Sequence, residues 1–518
     1  MKAKYMMIAA ALLALPAAAQ ETYENTKLVG NDLNGTARYV GMGGAMEALG
    51  ADISTISTNP AGLGLFRHST VNVSGGLLFQ GDVPSYTDGS KTHASFDQAG
   101  FVYSVRTRKN SFLNFAFNYS KSKNFDFILG ATGALNNASS NKLTYQKMRN
   151  GAFDNGDGAY SQVDYLNVNY FNMKQDSANY AASEYGLSRE QSGYIGNYDF
   201  NISGNIHDRV YLGVTFGIKD VHYTHGGWYD EVLNGNTIEY TDHRHIHGTG
   251  FDVTLGAIVR PFETSPFRIG VYVKTPTWYD LTTENYSTIG DGKKQYAVND
   301  YDPNNVYDYK ITTPWKFGVS LGHTVGNYLA LGATYEYEDY GSMKSRINDG
   351  VAYDYYYDGW DGYYDGYETS HKDRAMNKHT EETLKGVSTL KLGIEYKPVK
   401  DFAIRLGYNY VSPMFEESGV KGFLKNGNPV YSNGTYYNST SDYTNWKSTN
   451  RFTCGLGYTV QKWNFDLAYQ YSCQKGDFYP FASYYEAGTT SSPEDNIATA
   501  TEVKNNRSQL LLTIGYHF

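Results

Sequence analysis

The chain has 518 residues, a formal net charge of −9 and 2 cysteines. Such a charge gives no basic surface for nucleic acid, and so few cysteines exclude a disulfide-built fold. With 50 tyrosines and 54 glycines against 13 prolines, the composition is one of strands and turns.

Lys2 and Lys4, the apolar stretch Met6 to Leu15 and the small residues Ala17-Ala18-Ala19 have the layout of a secretory signal peptide over residues 1–19. No cysteine follows the expected cut before Gln20 to carry a lipid anchor. The remainder has no apolar run near the ~20 residues that a membrane helix requires. Residues 20–68 lack strand periodicity. They contain Gly41-Met42-Gly43-Gly44-Ala45 and Asn59-Pro60-Ala61-Gly62-Leu63.

From residue 69 to the end, period-two alternation predicts fourteen strands: 69–80, 97–107, 111–121, 194–206, 209–225, 238–260, 266–283, 307–322, 327–343, 384–397, 401–414, 446–460, 463–475 and 503–518. Short connections follow the even-numbered runs, and long Tyr/Asn/Asp-rich ones follow most of the others. That alternation is the pattern of short periplasmic turns and long outer loops. The fold class expected is all-β: a transmembrane antiparallel barrel of residues 69–518, in the outer membrane of a Gram-negative-type cell, with both termini periplasmic. In the last strand Leu510, Leu512, Ile514, Tyr516 and Phe518 share one face. A terminal Phe in this setting resembles the signal read by the barrel-assembly machinery.

Asn59-Pro60-Ala61, placed just before the first strand of a fourteen-stranded chain, resembles the FadL/TodX family of outer-membrane transporters for hydrophobic compounds such as long-chain fatty acids. The resemblance implies that residues 20–68 form a small hatch in the lumen. Asn59, Pro60, Ala61, Gly62 and Leu63 would make its turn, with Pro60 fixing φ and Gly62 allowing close approach to the wall. It also implies a lateral exit at a kink in the third strand, yet Ser111 to Lys121 has no Gly or Pro to mark one.

Strand parity points Arg268, Lys274, Glu336, Glu338, Lys391, Glu395, Arg405 and Asp466 into the lumen. There they form ion pairs that seat a hatch, or line a polar path. Asn234-Gly235 is a strong hairpin turn. Its register sets Phe216 against Val253, Ile218 against Phe251 and His222 against His247. The other neighbour of His222 is expected to be Gly193. His222, His243, His245 and His247 then lie outward at the headgroup level, beside lipopolysaccharide phosphates, with no metal assigned. The tract 352–368, rich in Tyr, Asp and Gly, is expected to be a solvated outer loop. A turn at Gln461-Lys462 sets Cys454 against Tyr469 and Cys473 against Asn450, too far apart for a disulfide.

No phosphate loop, His-Glu-x-x-His or Gly-x-Ser-x-Gly motif occurs, so neither an enzyme nor a cofactor is expected. The expected function is passive transport of a hydrophobic or amphipathic small molecule by a monomer in outer-membrane lipid. The alternatives are a structural or adhesive surface barrel with glycan-contacting loops, and a polar-solute pore.

Overall fold

The structure is a computed structural model that describes residues 22–149, 153, 161–173, 180–298, 305–357, 362–419, 421, 438–484 and 495–518. The expected signal peptide lies outside the described residues.

The chain is a closed antiparallel barrel of 14 strands. In chain order they are β1 (Thr70–Gly81), β2 (Thr92–Arg108), β3 (Ser111–Asn124 and Phe127–Ala138), β4 (Ala182–Ile206), β5 (Val210–Leu233) and β6 (Asn236–Val259). Then come β7 (Arg268–Lys274 and Trp278–Gly290), β8 (Val306–Thr312 and Lys316–Val325), β9 (Leu329–Asp339 and Lys344–Tyr357) and β10 (Gly362–Lys372 and Gly386–Val399). The circuit ends with β11 (Phe402–Val411), β12 (Tyr443–Val460), β13 (Trp463–Tyr479) and β14 (Thr501–His517). Pairing of β1 with β14, from Thr70 opposite His517 upward, closes the barrel.

Alternation decides which side each residue serves. Val71, Phe101, Phe200, Phe317, Leu406 and Leu512 stand exposed on the outside, while Asn114, Asn201, Ser320 and Thr513 are buried. An apolar outer belt around a polar interior is the surface of a membrane-spanning barrel. Trp278, Trp315, Tyr328 and Trp463 are exposed among its aromatics, as residues that favour the membrane interface. β5 and β6 contain 24 residues each, against about 9–11 for a spanning strand. Their upper halves therefore rise beyond the membrane.

The tight turns set register as expected. Leu233 faces Asn236, His222 faces His247, and Asn234 and Gly235 both have positive φ. Cys454 faces Tyr469, Cys473 faces Asn450, and both thiols are free. Two expectations need correction. His222 faces Tyr194, not Gly193, because Ile206 pairs with Val210 across three residues where a two-residue link was expected; one residue shifts every pair. The Tyr/Asp tract is also not an irregular loop. Val351 to Tyr357 pair with Gly362 to Glu368 in a hairpin between β9 and β10, and residues 358–361 lie outside the described residues.

Residues 22–65 form short helical pieces: α1 (Thr22–Asn25), α2 (Ala37–Gly41), and 3-10 turns at Ile53–Ser57 and Pro60–Leu65. Polar caps shape them: Thr36 accepts from the Tyr39 amide at 3.1 Å, Asp52 from Ser54 at 3.0 Å and Asn59 from Ala61 at 3.2 Å. The barrel admits this segment because glycines face it. A Cβ at Gly332 would strike the Ala45 carbonyl, at Gly393 the Met42 carbonyl, at Gly213 Pro60, and at Gly256 Asn59. Contacts on β5, β6, β9 and β10 place the segment inside the ring of strands. The end of the barrel remote from Phe518 carries α3 (Ser140–Arg149), α4 (Gln162–Phe171) and α5 (Arg374–Thr383).

Phe518 continues β14: its amide donates to the Ser69 carbonyl at 3.0 Å, and its ring meets Tyr516 edge-on at 5.2 Å. Phe518→Asp is expected to lower the yield of heat-modifiable barrel in the outer membrane several-fold. An unchanged yield would remove Phe518 from the closing step.

Candidate functional site

The expected lumen residues meet the N-terminal segment, one another or other charged side chains of the wall. Lys391 Nζ donates to Glu47 at 2.8 Å and to Glu336 at 2.5 Å, and Lys316 reaches Glu338 at 2.8 Å. Glu395 accepts from Arg38 at 3.0 Å and from Arg405 at 2.6 Å, and Arg405 also holds Asp466 at 2.6 Å. Lys274 pairs with Asp252 at 3.0 Å, and Arg268 donates to the Leu49 carbonyl at 2.9 Å. Buried charges persist only when paired. Lys316 and Asp252 of the wall were not among the expected residues, and Arg38 and Glu47 carry no sequence signal beyond being charged residues in an apolar stretch.

The Asn-Pro-Ala turn lies against the wall. Asn59 is fully buried, and Ala61 packs with Tyr211 and Ile258. Leu63 sits in a cluster with Ile53, Ile56, Val102 and Ala116. The expected role of Gly62 is corrected: a Cβ there would meet Thr55 and Gly50 of the segment itself. Gly64 is the residue pressed to the wall, against Gly204.

Between the segment and the wall lies a cavity of about 300 Å³. Phe125, Leu129, Met414, Tyr443 and Trp446 give it an apolar side, and Lys123, Arg451, Arg507 and Asp32 a charged one. Arg451 and Arg507 approach Asp32 at 3.5 and 3.7 Å. Burial opposes ionisation of Asp32, but Arg507, Arg451 and Lys123 outweigh it and hold the carboxyl below its usual range.

The cavity reaches a defect in the wall. Pairing between β2 and β3 ends at Gln98 opposite Ser120, although β2 continues beside β1. β3 then stops at Asn124 and resumes at Phe127. The expectation of an unkinked third strand is overturned, because the strand runs well past Lys121. The break needs no Gly or Pro: the Asn124 side chain accepts from the Asp126 amide at 2.8 Å, an Asx turn. The N-terminal segment covers the unpaired edge. Asp32 donates its amide to the Ser122 carbonyl at 2.8 Å and accepts the Asn124 amide at 3.0 Å. Asn34 Nδ2 donates to Asp97 at 3.0 Å and to the Lys121 carbonyl at 3.1 Å, spanning the two strands.

No family model and no curated protein matches the chain. Solved structures do. The CymD monoaromatic hydrocarbon channel is 10% identical, with a TM-score of 0.50 over 95% of this chain and 99% of that one. The toluene transporter TbuX of Ralstonia pickettii is 12% identical (TM-score 0.49, 94% and 99% covered). A FadL homologue from Pseudomonas aeruginosa is 11% identical (TM-score 0.47, 95% and 100% covered). At such identity the likeness to CymD is one of fold.

Proposed function

We propose that this chain is a passive outer-membrane channel of the FadL/TodX type for hydrophobic or amphipathic small molecules, with long-chain fatty acids as the expected class. The observation that carries this reading is the cavity beside the β2–β3 defect. An amphipathic solute finds an aromatic side for its chain and cationic side chains for an anionic head. The defect then offers a way out through the wall that a complete strand ladder would not. Asp32 and Asn34 are the latch, since both fill hydrogen bonds that β2 leaves open. Movement follows the concentration gradient. The barrel acts as a monomer, with its last strand ending on the periplasmic side.

Uptake of a labelled long-chain fatty acid, by cells lacking their own carrier, tests the proposal. Expression of the barrel should accelerate uptake. Phe125→Ala with Trp446→Ala should lower it by about tenfold, because each buried aromatic contact is worth on the order of 1 kcal/mol. Asp32→Ala with Asn34→Ala should raise it by freeing the edge. If the barrel gives no acceleration, the transport reading falls, and binding to a glycan array would support the adhesive alternative.

A further inference from the structure

Outside the barrel, β6 leaves the apolar belt at Phe251, which is exposed opposite the exposed Trp278 of β7. Four and six residues farther up the same face stand His247 and His245. Alternate residues on a strand share a side, so the two imidazoles are neighbours, stacked with ring centroids 5.0 Å apart. β7 adds a carboxylate, because Glu284 lies directly opposite His245. One donor atom from each of His245, His247 and Glu284 can be chosen so that all lie within 4.8 Å of one another. His245 Nδ1 is 3.8 Å from a Glu284 carboxylate oxygen.

A second observation points to a ligand. His247 Nδ1 is buried and has no hydrogen-bond partner in the protein. An unsatisfied buried nitrogen costs about 1–3 kcal/mol, and stacking on His245 does not relieve it. Two imidazoles and a carboxylate are the donor set of zinc-class cations, whereas calcium and magnesium require oxygen shells. Bonds of about 2.0–2.1 Å in a tetrahedron set donors about 3.3 Å apart. Rotation of the exposed Glu284 side chain closes the difference.

We propose that His245, His247 and Glu284 form a zinc-class divalent-cation site on the outer rim of the barrel, with water in the fourth position. His222, opposite His247, is already engaged by Asp220 at 3.0 Å and stays outside the site. The cation ties β6 to β7 beyond the membrane, where no short turn links the two strands. This site is independent of the transport reading.

Calorimetric titration of zinc into the folded, tag-free barrel after chelator treatment tests the site. One zinc per barrel should bind saturably, with calcium failing to compete. His245→Gln, His247→Gln and Glu284→Gln should each weaken binding by more than about tenfold, the loss that even outer-shell changes bring to metal sites. His243→Gln, one step farther along the same face, should leave affinity unchanged. Heat-modifiable mobility confirms that each variant is folded. Absence of saturable binding overturns the proposal, as does equal weakening by His243→Gln or full affinity in the His245→Gln/His247→Gln double variant.

Discussion

Removing residues 22–65 is expected to turn the barrel into an open, ion-conducting pore. Eight strands leave an interior that side chains fill, and 16–18 strands leave an aqueous channel; this barrel has 14. The space between those limits is taken here by the segment, which touches glycines on β5, β6, β9 and β10. Tyr23, Leu28 and Val29 also belong to the core that joins the upper strands to Leu384 and Phe415. Deleting the segment therefore unseals that end of the barrel as well. Glu336, Lys391, Glu395, Arg405 and Asp466 would then face water, and a polar mixed-charge lining passes ions. Conductance across a planar bilayer should rise by about an order of magnitude or more, while the strand ladder keeps the barrel heat-modifiable. A folded deletion variant that conducts no better than the intact protein would show that the segment does not occlude the lumen.

Glu47→Ala is expected to release the segment without removing it. Glu47 is fully buried and accepts from Lys391 at 2.8 Å, from Tyr39 at 3.0 Å and from Thr334 at 2.7 Å. Loss of the carboxylate strands two hydroxyls and leaves Lys391 only Glu336. Breaking a buried pair in this way costs about 3–5 kcal/mol. The cost falls on docking of the segment, because the wall retains its own ladder. Hydrogen exchange across residues 36–65 should accelerate by about a hundredfold or more. Glu47→Gln, which keeps an acceptor but drops the charge, should lose less. Unchanged exchange in Glu47→Ala would assign docking to the apolar contacts of Leu33, Val40, Met42 and Met46 instead.

What short-range physics controls was legible along the chain. Period-two alternation exposes itself locally, since a strand with one face on lipid and one on water must write both along its length. The number of strands and the membrane-level part of most of them therefore followed from spacing alone, whereas the upper parts of β3, β4, β5, β9 and β10 did not. Register was legible wherever a two-residue turn fixed it, as at Asn234-Gly235 and Gln461-Lys462, and it slipped by one at the three-residue link 207–209. Contacts that cross the lumen, or join strands without a tight turn, were settled by folding. Glu47 meets Lys391 across 344 positions and Asp32 meets Arg507 across 475, and no periodicity encodes such pairs. The interruption in β3 depends on where β2 ceases to pair, and its cover on a segment folded back from the N-terminus. Glu284 joins His245 and His247 because β7 leans on β6 after the longer link 260–267, whose length does not set register. Pairings of this kind arise from closing the barrel, when distant residues are brought to one place and buried charges must find each other.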